Sequence, residues 1–167
     1  APYSSHVIPN ASRLLANDTL DDKTKVRYSD IFQGTEDISG ARDWVVATNG
    51  PGFFTAEARP DDVVAIAEST NEIFVFGQTN VEVFGKDPTF DFSNVATREV
   101  GCLAPYSVVK GETEHYWFTN FRRFVKSDGR QFQFISDQID SLLSDLTAPS
   151  DCFGYRVNSK YLDCYVW

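Results

Sequence analysis

A chain of 167 residues with 42% hydrophobic and 23% charged side chains has the composition of a single folded domain and not of a disordered segment. Its 24 acidic and 15 basic side chains give a formal net charge of −9, which argues against a protein that grips nucleic acid by its phosphates, because that mode needs a basic face. No run approaches the roughly 18 apolar residues of a membrane span, so we expect neither sequence-specific nucleic-acid binding nor a membrane partner.

Short apolar runs bounded by turn residues predict strands from the N-terminal end onward, and the 14 Phe, 7 Tyr and 3 Trp favour strands throughout. The first strand candidates are Arg13–Leu15 and Arg27–Ser29, followed by Val63–Ile66. Glu72–Phe76 is apolar on both faces, which predicts an inner strand. Residues 77–80 then turn the chain into Val81–Phe84, so a hairpin is predicted here.

A second group of strands is predicted between residues 107 and 134. Gly129 supplies the freedom for positive φ in the turn before the last of them. The predicted strands are Ser107–Lys110, His115–Phe118, Arg123–Lys126 and Gln131–Phe134. An antiparallel meander is the expected arrangement.

One helix of about ten residues is predicted after Ser136, which can cap its N-terminus, and Pro149 ends it. Apolar residues recur at the i, i+3, i+4, i+7 spacing of one helix face: Ile139, Leu142, Leu143 and Leu146. A helix this short is not stable alone, so we expect this stripe to pack onto the sheets rather than to bind a partner.

The strand candidates recur at an interval of about 44 residues, marked by Ser29, Ile73, Trp117 and Tyr161. This interval and about four strands per unit are typical of a β-propeller blade, with an evenly spaced β-sandwich as the alternative. We predict an all-β fold, an antiparallel meander of β-propeller-like blades with one short helix. The blade-like units are expected near 12–50, 51–95, 96–147 and 148–167. Because these units are too few to close a propeller, we expect the single domain to be incomplete in this chain.

Neither a metal site nor a catalytic site is predicted, and no cofactor is expected. Cys102, Cys152 and Cys164 contain no C-x-x-C pair and have only two histidines to join them. A Cys152–Cys164 bridge and three reduced thiols remain alternatives. The acidic pairs lack the spacing of a calcium loop and His115 is expected to be a half-buried sheet residue, so we do not expect an enzyme. A hydrolase with two carboxylates across a pocket stays an alternative, because the sequence does not give that distance.

Several segments resemble the packaged-DNA stabilisation, or tail-hub, proteins of short-tailed double-stranded DNA bacteriophages. The most distinctive matches are Gly101-Cys102 and Ile135-Ser136. The matching stretches are 12–16, 26–30, 63–84, 100–110, 115–120 and 132–142. The resemblance implies a longer propeller protein without catalytic residues.

The same resemblance implies a structural role in the virion tail, after assembly in the host cytoplasm. The expected partners are portal or adaptor proteins, other tail proteins and further copies in a ring that helps to retain packaged DNA. An acidic wall would repel DNA and let it pass. The alternative function is a carbohydrate- or receptor-binding β-domain, which the aromatic content permits.

One local group of basic and aromatic residues stands out in the acidic chain, and Trp and Arg are typical of interface hot spots. Its members are Trp117, Phe121, Arg122, Arg123, Lys126 and Arg130. We predict that this group docks onto an acidic portal or a neighbouring subunit. A solvated hairpin tip is the alternative.

Overall fold

The computed structural model describes residues 3–10, 12–31, 39–46, 50–56, 58, 61–70, 72–87, 91–159 and 163–167. In these residues, antiparallel sheets follow one another along the chain, each a meander of neighbouring strands. The first sheet contains β1 (Val7–Asn10), β2 (Arg13–Asn17), β3 (Lys25–Tyr28) and β4 (Gly52–Thr55). The second contains β5 (Val63–Glu68), β6 (Glu72–Gly77), β7 (Val81–Asp87) and β8 (Asp91–Arg98).

A third sheet and a two-stranded hairpin follow the second sheet along the chain. The third sheet contains β9 (Val109–Lys110), β10 (His115–Phe118), β11 (Phe124–Ser127) and β12 (Phe132–Phe134). The hairpin pairs β13 (Tyr155–Asn158) with β14 (Asp163–Val166). Single turns of 3-10 helix lie at Gly40–Arg42, Pro105–Ser107 and Pro149–Asp151, and α1 is Asp140–Ser144. The predicted fold class, an antiparallel meander of blade-like sheets with one short helix, is confirmed.

Strand β6 packs against both neighbouring sheets. Its alternate residues face opposite sides of the second sheet. Ile73 and Val75 join the buried cluster shared with the first sheet, whereas Phe74 and Phe76 join the cluster shared with Trp117 of the third sheet. The prediction of an inner strand with two apolar faces is therefore confirmed, and the reason is that β6 contributes to two cores.

The tight turns follow the sequence signals. The 77–80 turn joins β6 to β7, and Gly129 has a φ of 90° in the turn before β12. At the first of these turns, Oδ2 of Asp61 accepts hydrogen bonds from the backbone N–H groups of Thr79 (2.6 Å) and Asn80 (3.3 Å) and from both side chains. Asp61 thus holds this turn, as an acidic residue in a loop commonly does.

The 44-residue interval does not mark equivalent strands. It falls on the second strand of the second and third sheets, at Ile73 and Trp117, but at the end of β3, the third strand of the first sheet. The reason is that β1 precedes the first strand candidate of the sequence. In addition, β4 lies in the expected unit 51–95 but pairs with β3. Tyr161 lies outside the described residues, and the division of the domain into four units stays a prediction.

The expectation for the leucine stripe is wrong in most of its parts. The helix covers only Asp140–Ser144, and Leu143 is buried whereas Ile139, Leu142 and Leu146 are exposed. Ser136 does not cap the helix; its Oγ accepts a hydrogen bond from the N–H of Phe124 (3.1 Å) and donates to Oδ1 of Asp140 (2.7 Å). Ser136 thus joins the start of the helical region to β11 through a polar contact.

Candidate functional site

The six residues of the predicted interaction group do not form one surface. Trp117 is fully buried on β10, where its Nε1 donates to the carbonyl of Gly101 (3.2 Å). Its ring lies against Phe76 and Phe132, at centroid distances of 5.2 and 5.5 Å. This indole belongs to the packing between the second and third sheets, so it does not contact solvent.

Lys126 and Arg130 lie towards the opposite end of β11 from Phe121, Arg122 and Arg123. Lys126 forms an ion pair with Glu114 (3.4 Å), and Arg130 forms one with Glu72 of the second sheet (3.2 Å). The side chain of Arg130 is 72% exposed. These partly solvated pairs contribute little to stability, typically less than about 1 kcal/mol each.

The turn from β10 to β11 brings Phe121, Arg122 and Arg123 together. It is closed by hydrogen bonds from the N–H of Arg122 to the carbonyl of Thr119 and from the N–H of Thr119 to the carbonyl of Arg123, both 2.9 Å. Arg122 has a φ of 58°, a left-handed conformation that is costly for a residue with a Cβ atom. The turn leaves Phe121 55% exposed.

Both arginines of this turn bind the segment that contains α1, which we call the helical segment (residues 136–146). The guanidinium of Arg122 donates to the carbonyls of Ser144 and Leu146, the latter at 3.2 Å. Arg123 pairs with Asp137 and Asp140, and its guanidinium carbon lies 4.2 Å from the centre of the Phe134 ring. The two cations are thus engaged within the chain, where they hold the helical segment on the third sheet.

The outward side of this region is apolar and acidic. The β10–β11 turn and residues 135–146 carry exposed apolar side chains, those of Phe121, Ile135, Ile139, Leu142 and Leu146. The helical segment itself carries Asp137, Asp140 and Asp145 and neither Lys nor Arg. Sequence reasoning missed this surface because a leucine stripe has the same spacing whether it faces the core or solvent.

The Gly101-Cys102 pair lies at the junction of the second and third sheets. The N–H of Gly101 donates to Oδ1 of Asn120 (3.0 Å), and the N–H of Cys102 donates to the carbonyl of Gly77 (2.8 Å). A Cβ atom on Gly101 would lie 2.0 Å from the carbonyl oxygen of Gln78. The pair is therefore a structural joint between the sheets.

His115 lies at the same junction and is more deeply buried than expected. Its Nε2 lies 3.0 Å from the carbonyl oxygen of Glu68 on β5, and its ring centroid is 4.4 Å from that of Phe74. Burial lowers the pKa of His115 to about 4, partly offset by the Glu68 carbonyl. At neutral pH this histidine is an uncharged packing residue.

No group of three or more His, Cys, Asp or Glu side chains within the described ranges is arranged to hold a metal ion. Cys102, Cys152 and Cys164 are all free thiols. Burial raises the pKa of Cys102 to about 12, so this thiol is inert as a nucleophile. Among the residues that the structure describes, no helix is both long and apolar enough to span a membrane.

A cleft of about 520 Å³ lies between the first and second sheets. Its lining includes Arg13, Lys86, Asp91 and Phe92. The hydroxyl of Tyr28 donates to Oδ2 of Asp91 (2.9 Å), and burial together with this carboxylate raises the pKa of Tyr28 to about 12. The cleft combines two cations with two carboxylates, those of Asp87 and Asp91, and Asp91 accepts the hydrogen bond from Tyr28.

Comparison with known protein families gives a match. No curated protein matches the chain. A family model described as bacteriophage P22 Gp10, β-propeller, matches residues 46–150, which include the whole of the second and third sheets, their Gly101-Cys102 junction and the helical segment. Because the match covers more than half of the chain and the fold consists of successive blade-like sheets, the protein belongs to this family of phage structural proteins.

Proposed function

We propose that the protein is a non-enzymatic component of a phage tail hub, which completes the junction between head and tail and helps to retain packaged DNA. The observation that carries the proposal is the family match over residues 46–150. The paired cores around β6 support it, because sheets that share buried residues form a stiff unit suited to a load-bearing part.

In this role the protein assembles with further copies into a ring, contacts portal, adaptor or other tail proteins, and is located in the virion tail after assembly in the host cytoplasm. The net charge of −9 supports passage of DNA without adhesion, because like charges repel.

The test is the fate of packaged DNA in particles made without this protein. We expect such particles to package DNA and then lose it, so that the DNA becomes sensitive to nuclease. Particles complemented with the wild-type gene should protect it. An immunoblot of purified tails should contain the protein at a fixed ratio to the portal. Full nuclease protection without the protein, or its absence from purified tails, would contradict the proposal.

We propose further that the outward residues of the predicted group, Phe121 and Arg130, contribute to contacts with a neighbouring subunit. Phe121→Ser combined with Arg130→Glu should weaken ring assembly, measured by native mass spectrometry. Reversal of Arg122 and Arg123 is a poorer test, because it also releases the helical segment. The matched control is Lys23→Glu, which reverses an exposed charge in the turn between β2 and β3. Equal assembly of all variants would exclude these residues from the contact.

The cleft between the first and second sheets favours a second candidate function, carbohydrate binding, because it combines cationic, carboxylate and apolar lining groups. Lys86→Ala should then abolish binding to any glycan that the wild-type protein binds on an array. If no glycan is bound at high protein concentration, this candidate is removed.

A further inference from the structure

The cleft between the first and second sheets contains two cations that no carboxylate of the described chain neutralises. Most Lys and Arg side chains in the described ranges form an ion pair with a carboxylate, as Arg27 does with Asp18. Arg13 of β2 and Lys86 of β7 line the cleft and form no such pair with a described residue. Their charges are therefore left for a ligand.

Arg13 is held in place without loss of its charge. Its Nη1 donates to the carbonyls of Ser29 (2.8 Å) and Gly50 (2.9 Å), and its guanidinium carbon lies 5.0 Å from the centre of the Tyr28 ring. These partners are uncharged, and the N–H groups on Nε and Nη2 donate to no described residue. Arg13 thus offers preorganised donors of the kind that bind the two oxygens of a carboxylate.

The other polar groups of the lining are hydrogen-bond acceptors. Oδ2 of Asp91 accepts a hydrogen bond from Tyr28, and Asp87 also interacts within the chain. The remaining lone pairs of these carboxylates can accept hydrogen bonds from hydroxyl groups. Asn10 lines the same cleft and is buried, and its Oδ1 has no hydrogen-bond partner in the part of the chain that the structure describes. A ligand hydroxyl supplies the donor that this acceptor lacks.

The lining as a whole selects a ligand with an anionic group, hydroxyl donors and an apolar face. A bare anion meets the two carboxylates of the cleft with like charge, and a neutral sugar leaves the two cations without a counter-charge. Ile31 and Phe92 add apolar surface, on which the face of a sugar ring can lie. The net charge of −9 does not prevent such binding, because exposed charges farther away than about 8 Å are screened at physiological salt.

We propose that this cleft binds an acidic sugar, a pyranose that carries a carboxylate. The carboxylate binds Arg13 and Lys86, and the hydroxyl groups donate to Asp91 and Asn10. The inference rests on carbohydrate binding, the second candidate function above, and names the class of sugar that is recognised. It does not depend on the tail-hub role.

The test compares methyl β-glucuronide with methyl β-glucoside, in which a hydroxymethyl group replaces the carboxylate. Binding to the full chain is followed through the amide signals of ¹⁵N-labelled protein in an NMR titration. The glucuronide should bind at least about tenfold more tightly than the glucoside, as expected for hydrogen bonds to a charged group. It should shift the amide signals of Arg13 and Lys86, and high salt should weaken it. Inorganic phosphate should bind no better than the glucoside.

Lys86→Gln removes one of the two charges and keeps a polar side chain of similar length. It should weaken binding of the glucuronide about tenfold and leave binding of the glucoside unchanged, whereas Lys86→Arg should keep the preference for the glucuronide. The matched control is Lys23→Gln, which removes an exposed charge outside the lining of this cleft and should change neither affinity. Thermal melting should show that all three variants are folded.

Each failure has a separate meaning. Equal binding of the two glycosides would overturn the acidic-sugar proposal and leave carbohydrate binding intact. Phosphate that binds as tightly as the glucuronide would overturn it as well, because the cleft would then accept any anion. Equal weakening by Lys23→Gln and Lys86→Gln would show a general effect of charge and no site. If neither glycoside binds at high concentration, carbohydrate binding and the acidic-sugar proposal are both removed.

Discussion

At the scale of single residues, the most distinctive sequence matches have structural roles, a close backbone approach at Gly101 and a hydrogen bond at Ser136. Gly101 has no room for a side chain against the Gln78 carbonyl, and Ser136 uses its hydroxyl to bind the N–H of Phe124. Both residues join elements that are distant in sequence. At Gly101 only glycine fits, because a backbone carbonyl approaches where a Cβ atom would lie.

Gly101→Ala should therefore destabilise the protein. Its Cβ would meet a backbone carbonyl that cannot move without disturbing the 77–80 turn, and we expect a loss of about 1–3 kcal/mol in the free energy of unfolding, measured with urea. The matched control is Gly85→Ala, whose Cβ would lie 3.2 Å from the end of the Val95 side chain. Equal stability of the two variants would contradict the assignment of Gly101 as a joint.

His115 should make stability depend on pH. Its folded pKa of about 4 lies below the ordinary value of 6.5, so the unfolded chain binds a proton first as the pH falls. Burial of the neutral His115 therefore costs no stability above pH 6.5. As the pH falls from 6.5 to 4, the free energy of unfolding decreases by about 3 kcal/mol in total, because the unfolded chain binds the proton that the folded chain does not.

The measurement is the free energy of unfolding at a series of pH values for wild type and His115→Gln. The variant lacks this titration, so its loss of stability towards pH 4 should be smaller, while the carboxylates contribute equally to both proteins. Parallel pH curves would show that burial of His115 does not control stability.

At the scale of elements, the helical segment is held to the third sheet mainly by side-chain contacts. A helix of five residues has almost no stability of its own. Leu143 gives it one apolar anchor, and the arginines of the β10–β11 turn give it the others. Its local stability therefore depends on residues outside it.

Arg123→Ala should loosen the helical segment without unfolding the sheets. Loss of two partly exposed ion pairs and of the contact with Phe134 should lower local stability by about 1–2 kcal/mol. Hydrogen exchange of the Leu143 amide, which donates to the carbonyl of Ile139 (3.0 Å), should become about tenfold faster.

Arg130→Ala is the control for this experiment, because its exposed ion pair with Glu72 lies away from the helical segment. The Leu143 amide should exchange at the wild-type rate in that variant. An unchanged rate in Arg123→Ala would show that the ion pairs do not hold the segment.

At the scale of the whole molecule, β6 couples the sheets. Because Ile73 and Phe74 belong to different buried clusters, the second sheet cannot unfold without exposing both the first and the third. Because β6 contributes to both buried clusters, the three sheets are expected to unfold cooperatively. Independent blades, by contrast, would unfold in separate steps.

Phe74→Ala should lower the free energy of unfolding by about 3–5 kcal/mol, because it leaves a cavity in a fully buried site. Tryptophan fluorescence and far-UV circular dichroism should still report one coincident transition. Phe53→Ala, at a partly exposed position on β4, should cost less than about 1.5 kcal/mol. Separate transitions by the two probes would contradict coupling through β6.

Local patterns were enough to predict most of the strands, the meander and the turns. The apolar runs of β6, β10 and β11 are bounded by turn signals, and Gly129 takes the positive φ that its turn requires. These features depend on neighbouring residues, whose alternation and conformational limits are written in the sequence itself. The family resemblance was visible for the same reason, since it rests on short segments in a fixed order.

The tertiary structure alone decided which faces are covered. Periodicity shows which residues share a side, but whether that side meets another element depends on contacts between residues far apart in the chain. Hence Trp117 lies in the core although it stands in a basic and aromatic group, and all of the apolar stripe except Leu143 faces solvent although its spacing suits a core helix. Arg122 and Arg123 stabilise the fold from within, because residues 136–146 come to lie beside them only once the third sheet has formed.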